Sequence, residues 1–217
     1  MDYEIFDQMS RSLWNRRMYA DIAKTAIKRC TAMVPDFFTR PVRLADVGCG
    51  TGAFAEAMAA RIPTAAVVLA DCRGGAVREA KEIIGRICNC PVRGVIGDVA
   101  DLNLSENPVD LIISRGSIRF WPNQEAALTA LLRSVRPGGL LYVGGGRGSG
   151  DFQRMRQVAE VQEREHLAWC RRPDIPNYLW EDKIYIRYFK RAAADYRIFR
   201  GEDGHWMLWQ RRGGSNA

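Results

Sequence analysis

Asp46-Val47-Gly48-Cys49-Gly50-Thr51-Gly52 ends one run of apolar residues, Val42 to Gly48, and opens a helical pattern from Phe54 to Ile62. Glycine at every second position lets the backbone turn tightly and approach a ligand where a Cβ would collide. A dinucleotide fold wants G-x-G-x-x-G, but Ala53 stands where the third glycine belongs. An acid followed by G-x-G-x-G is not built around a pyrophosphate. A strand and a helix on either side make a bare tight turn the weaker reading.

The same alternation continues outward. Ala65 to Asp71, Val92 to Gly97, Asp110 to Ser114 and Leu140 to Gly144 read as further strands rich in Val, Ile and Leu. Continuous apolar runs of this kind suit strands buried on both faces. Between them, Ala76 to Ile87 and Gln124 to Val135 carry apolar positions three and four apart and read as helices. Pro137, Gly138 and Gly139 are expected to stop the last of these and turn the chain. Strands alternating with helices predict an α/β fold, a mostly parallel sheet with helices on both faces.

The ends differ from this middle. Trp14, Met18, Ile22, Ala26, Cys30 and Val34 recur at every fourth residue, after Phe6, Met9 and Leu13, and predict one or two amphipathic helices before Pro41. A helix from Phe152 to about Cys170 and another from Lys183 to Ala194 flank an irregular stretch with Pro173 and Pro176. Tyr196 to Arg200 and His205 to Gln210 enclose Gly201-Glu202-Asp203-Gly204, the signature of an antiparallel hairpin.

Two more acids stand at predicted strand ends. Asp71 follows Gly52 by nineteen residues and closes the second strand, where a carboxylate can accept both ribose hydroxyls of an adenosine ligand. Asp98 closes the third and can accept from the exocyclic amine of an adenine. Each can equally cap the segment that follows it. With Asp46 they line one crevice with negative charge, which repels phosphates and suits a cationic nucleoside.

The chain from about Arg43 to Gly146 resembles the class I S-adenosylmethionine-dependent methyltransferases. The resemblance rests on Leu44 to Gly52, Asp71, Gly97-Asp98, Val109 to Ser114, and Leu132 to Leu140, which looks like that family's turn into its fifth strand. It implies a seven-stranded sheet closed by the antiparallel C-terminal hairpin. Gly48, Cys49, Gly50 and Gly52 would then approach the methionine half of the cofactor, with Asp46 near its amino group. Asp71 would hold the ribose, and Cys72 or Arg73 would flank the adenine. Asp98 and Val99 would contact the ring, and Ser114 to Gly116 would form the floor beside the methyl group. Cys49 is then a ligand-loop residue and not a nucleophile.

Departures from the family narrow the acceptor. Ser114-Arg115-Gly116-Ser117-Ile118 replaces the Asn- or Asp-Pro-Pro-aromatic motif common in amino methyltransferases of nucleic acids and glutamine, and it holds no Pro-Cys pair. Gly144 to Gly148 resembles the glycine run of spermidine synthases but follows the fifth strand instead of the first. His166, Tyr19 and Tyr3 are candidate bases, and Arg115 and Arg119 are candidate anchors for an anion.

Composition bounds the rest. The chain has 217 residues, 47% hydrophobic and 26% charged, which predicts one globular domain. Its parts are a helical lid over residues 1–40, a cofactor-binding core over 41–150 and acceptor-side helices with the hairpin over 151–217. The formal charge of +7 is spread as +3, +1 and +3 over residues 1–43, 44–150 and 151–217. That thin spread disfavours nucleic acid as the partner. No apolar run reaches the roughly 18 residues of a membrane span, and Asp2 and Glu4 do not suit a signal peptide, so a cytoplasmic protein is expected. Cys30, Cys49, Cys72, Cys88, Cys90 and Cys170 show no metal-ligand spacing and read as buried free thiols; no metal is expected.

The expectation is transfer of a methyl group from S-adenosylmethionine, leaving S-adenosylhomocysteine, to a small-molecule acceptor. Methylation of RNA or protein, and cofactor binding without turnover, stay open as alternatives.

Overall fold

The structure is a computed structural model, and it describes residues 12–163 and 195–212. Helix α1 (Leu13–Met33) leads into β1 (Val42–Val47), α2 (Ala53–Ala59), β2 (Thr64–Asp71), α3 (Gly74–Ile87) and β3 (Val92–Ile96). Then come β4 (Val109–Arg115), α4 (Gln124–Ser134), β5 (Val135–Gly145), α5 (Gly150–Glu163), β6 (Asp195–Gly201) and β7 (Gly204–Gln210). The seven strands form one sheet in the order β3-β2-β1-β4-β5-β7-β6. The first five in that order are parallel, and β7 runs antiparallel to both β5 and β6. The chain winds from β1 one way to β3, then returns to the other side of β1 as β4. That reversal opens a crevice beyond the strand carboxyl ends, where α/β folds bind ligands.

Alternation along the strands builds a core on each face. Leu111 and Ile113 of β4 join α1 and α2 through Trp14, Met18, Ile22, Phe54 and Met58. Ile112, one residue out of phase, packs with Leu128 and Leu131 of α4, Val143 and Trp209. Two-residue periodicity puts both sets out of water, which explains why β4 reads as continuously apolar. Tyr142 of β5 and Trp206 of β7 stack with centroids 4.8 Å apart, both fully buried. Truncating an aromatic of that kind costs about 3 to 5 kcal/mol.

Helix α1 forms because Trp14, Met18, Ile22, Ala26 and Cys30 all turn to the sheet, as the four-residue spacing predicts. Ser12 caps it, its Oγ accepting from the Asn15 N–H at 3.1 Å. Leu13, just inside the cap, is largely exposed.

Two details depart from expectation. Helix α4 ends at Ser134 and β5 begins at once, so Pro137-Gly138-Gly139 is a bulge inside the strand and not the turn before it. Val135 pairs with Val109 while Leu140 pairs with Leu111, leaving residues 136–139 to loop out. The bulge is held because Gly138 donates its N–H to the Arg211 carbonyl and Arg211 donates back to Gly139. The five cysteines among the described residues are unbridged, but only Cys30 and Cys49 of them are buried. Cys72 is exposed in the turn after β2, and Cys88 and Cys90 are half-buried before β3. Packing also accounts for Gly144 and Gly146: a Cβ at Gly144 would lie 2.3 Å from the His205 carbonyl oxygen on the neighbouring strand, and one at Gly146 would overlap the Asp203 carbonyl.

The helix expected from Phe152 is present as α5 to Glu163; its expected end near Cys170 and the helix expected over residues 183–194 lie outside the described residues. No helix among the described residues is long and apolar enough to cross a membrane.

Candidate active site

The glycine turn is pinned from both sides. Gly48 and Cys49 donate their N–H groups to the Ala70 carbonyl at 2.8 and 3.0 Å, joining the turn to β2. Gly48 has φ of 65°, and a Cβ there would sit 2.3 Å from the Ser117 Cβ. Gly52, with φ of 85°, precedes α2, and a Cβ there would press on Ala80 of α3 at 3.0 Å. Gly50 faces the cavity and gives its N–H to Asp71 Oδ2 at 2.9 Å.

The three acids occupy different positions. Asp46 is 1% exposed and lies behind the turn, its Oδ2 accepting from the Ala55 N–H at 3.0 Å. Burial pushes its carboxyl up to about 7, the Ala55 hydrogen bond opposes this, and the Asp71 charge adds to it. Asp71 lines the cavity, where its Oδ1 accepts from the Arg73 N–H at 3.0 Å and lies 3.5 Å from the Arg73 Nε. Asp98 also lines it and caps the short 3-10 turn Val99–Asp101, accepting from Ala100 N at 2.8 Å. Its capping role and its place on the cavity wall therefore coexist.

The cavity has a volume of about 680 Å³ and runs along the carboxyl ends of the strands. At the β2 and β3 ends it is acidic, with Asp71, Asp98 and Asp101, and has the apolar Ile96 and Leu102. At the β4 and β5 ends it is basic, with Arg115, Arg119 and Arg147. Asn15 and Tyr19 of α1 reach the same cavity. Arg115 Nη1 donates to Tyr19 Oη at 3.1 Å, and its Nη2 donates to the Gly146 carbonyl at 2.8 Å. Arg119 is half-buried, and burial, then the neighbouring Arg115 charge, lowers its pKa.

Of the residues singled out from sequence, Gly48, Cys49, Gly50, Asp71, Cys72, Asp98 and Val99 line the cavity. Asp46, Gly52 and Ser114 do not; they support its wall from behind. Ser114 is fully buried and donates to the Val47 carbonyl at 2.6 Å, while Ser117, one turn on, faces the cavity. The Cys49 thiol is nearly buried, and burial together with the Asp46 and Asp71 charges raises its pKa and keeps it protonated. Trp14 packs edge-on against Phe152 at 6.2 Å instead of reaching the cavity. Tyr3 and His166 lie outside the described residues.

Sequence reading missed Asn15, Asp101 and Arg147. Asn15 follows Trp14 on the α1 helix, where only docking shows that its side is the cavity side. Arg147 follows the glycine run at the end of β5, and a strand end was the one available signal for it.

Residues 44–139 match a family profile described as a methyltransferase domain. Over those residues the chain is similar to methyltransferase domains. The fold agrees over a wider span. A crystal structure of a candidate S-adenosyl-L-methionine-dependent methyltransferase from Methanococcus maripaludis superposes with a TM-score of 0.72 at 22% identity, covering 99% of this chain and 94% of that one. The chain is also 27% identical to a malonyl-[acyl-carrier protein] O-methyltransferase of Priestia megaterium, over 63% of this chain and 48% of that protein. It is 32% identical to a trans-aconitate 2-methyltransferase of Methylobacterium nodulans, over 60% of this chain and 48% of that protein. The chain thus spans about half the length of the curated relatives it matches. Among the described residues, no group of three or more His, Cys, Asp or Glu is placed to hold a metal ion.

Proposed function

We propose that this chain transfers a methyl group from S-adenosylmethionine to a small-molecule acceptor. The observation that carries this reading is one continuous cavity along the strand ends, where the glycine turn and the acids share a wall with a basic pocket beneath α1. The residues present fit that cofactor: Gly50 leaves backbone open to a ligand, Asp71 and Asp98 offer carboxylate oxygens, and Arg73, the one cation lining the acidic end, is paired with Asp71. When bound, the cofactor supplies a methyl group activated by a sulfonium.

The protein's part is positioning and exclusion of water, which together supply much of the rate of an in-line displacement. Asp71 holds the ribose hydroxyls, and Asp98 and Val99 hold the adenine edge, with Cys72 beside it. The glycine turn approaches the methionine half, and the Asp46 carboxyl stands behind the turn. Helix α1 serves as the lid, since Asn15 and Tyr19 close the end of the cavity nearest Arg115. The acceptor enters there, in a cytoplasmic setting. Relatives named for malonyl-[acyl-carrier protein] and trans-aconitate support a small or carrier-bound acceptor over a nucleic acid.

Calorimetric titration tests the reading. S-adenosylhomocysteine is expected to bind and NAD to give no heat. NAD binding without a response to S-adenosylhomocysteine would overturn it.

A further inference from the structure

Two arginines at the basic end of the cavity, Arg115 and Arg119, carry charge that no carboxylate among the described residues offsets. Some other arginines meet a carboxylate: Arg29 meets Asp203 at 2.9 Å, Arg73 meets Asp71, and Arg40 meets Asp110 at 3.1 Å. Arg115 and Arg119 have no carboxylate within 4.0 Å among the described residues. Their hydrogen bonds go to neutral acceptors, which aim a guanidinium without neutralising it. Arg115 Nε and Nη2 share the Gly146 carbonyl, and Nη1 meets Tyr19 Oη. Arg119 donates its Nε–H to the Gly116 carbonyl at 3.3 Å, and neither of its Nη groups meets an acceptor among the described residues. Two like charges therefore share one partly buried wall, and the depressed pKa of Arg119 reflects that burial and that repulsion.

We propose that Arg115 and Arg119 anchor the methyl acceptor and that the acceptor is a carboxylate. This rests on the methyl-transfer reading above and adds the substrate class. A planar carboxylate matches the fork of a guanidinium and relieves the repulsion between the pair; a cationic amine would add to it. A carboxylic acid, with a pKa of about 4, also arrives deprotonated, so the protein moves no proton. One carboxylate oxygen donates its lone pair to the methyl carbon while the carbon–sulfur bond breaks and its electrons pass to sulfur. Anion and sulfonium cation become a neutral methyl ester and a neutral thioether. The ester no longer carries the charge that held it to the two arginines, so product release follows from the same contacts that select the substrate.

The test uses the whole protein saturated with S-adenosylhomocysteine and titrated calorimetrically with glutarate, its neutral diamide and inorganic phosphate. Glutarate is expected to bind, with the diamide giving no heat and phosphate binding at least about tenfold more weakly. Arg119→Gln should weaken glutarate by about tenfold or more, Arg119→Lys by less, and both should hold S-adenosylhomocysteine within about threefold of wild type. With labelled S-adenosylmethionine and a set of di- and tricarboxylic acids, the labelled product should release methanol in alkali. Equal heats for glutarate and the diamide, phosphate binding tighter than glutarate, or glutarate affinity indifferent to Arg119→Gln would each overturn the carboxylate site while leaving methyl transfer intact. Failure of the wild type to bind S-adenosylhomocysteine would instead remove the reading on which the proposal rests.

Discussion

Gly48 packs so closely on Ser117 that a Cβ at residue 48 would lie 2.3 Å from the Ser117 Cβ. The contact joins the turn after β1 to the loop after β4, two segments that meet only because β4 lies beside β1 in the sheet. It sets how far the cavity floor stands from the glycine turn.

Gly48→Ala should therefore both destabilise the fold and close the site. Left-handed backbone costs a non-glycine residue about 1 to 2 kcal/mol before any clash is counted. Urea unfolding should show a loss of about 2 kcal/mol or more, and S-adenosylhomocysteine affinity should fall by more than the unfolded fraction explains. Adding Ser117→Gly should restore part of the loss by removing the clash, but not the backbone cost. An unchanged midpoint and affinity in the single variant would contradict the contact.

Asp71 accepts from Gly50 and from Arg73 and still faces the cavity. Asp71→Ala should weaken S-adenosylhomocysteine by about 1 to 3 kcal/mol, the scale of losing hydrogen bonds to a charged acceptor. Calorimetry reads this directly. Full affinity in the variant would show that the ribose is held elsewhere.

Asp46 should impose a pH dependence on stability. Its folded carboxyl titrates near 7, above the usual carboxylate range, so between about pH 4 and 7 the folded state holds a proton that the unfolded state has lost. Stability from this group is therefore full below about pH 4 and is lost as the pH rises toward 7. Asp46→Asn keeps an oxygen for the Ala55 N–H and removes the titration. The variant should gain on wild type as pH rises, by an amount on the order of a few kcal/mol at pH 8, and converge with it near pH 4. Parallel curves in urea unfolding across that range would refute the burial argument.

Trp14 and Tyr19 share one helix but should fail differently. Trp14 is buried against Phe152, so Trp14→Ala should cost about 3 to 5 kcal/mol of stability while the folded fraction binds cofactor normally. Tyr19 lines the cavity and takes a hydrogen bond from Arg115, so Tyr19→Ala should lower turnover or cofactor affinity beyond its effect on folding. If Tyr19→Ala lost stability alone, α1 would be only a cover for the sheet.

The sequence by itself determined whatever depends on neighbours along the chain. Short continuous apolar runs placed the first five strands, the Gly201 to Gly204 turn signal placed the last two, the fourfold spacing from Trp14 to Cys30 placed α1, and the glycines after Asp46 marked the strand end that borders the cavity. Asp71 and Asp98 were legible as candidates because a strand end is a local feature, and both line the cavity. Tertiary structure decided what depends on strand order and on depth. Asp46 looks no different in sequence from Asp71, yet α2 folds back over it and buries it, while Asp71 stays at the wall. Arg115 and Arg147 are separated by a helix and a strand, and Asn15 and Tyr19 precede the first strand altogether. They share one pocket only because β4 and β5 pair beside β1 and α1 packs across the same face, arrangements set by long-range burial that no local pattern encodes.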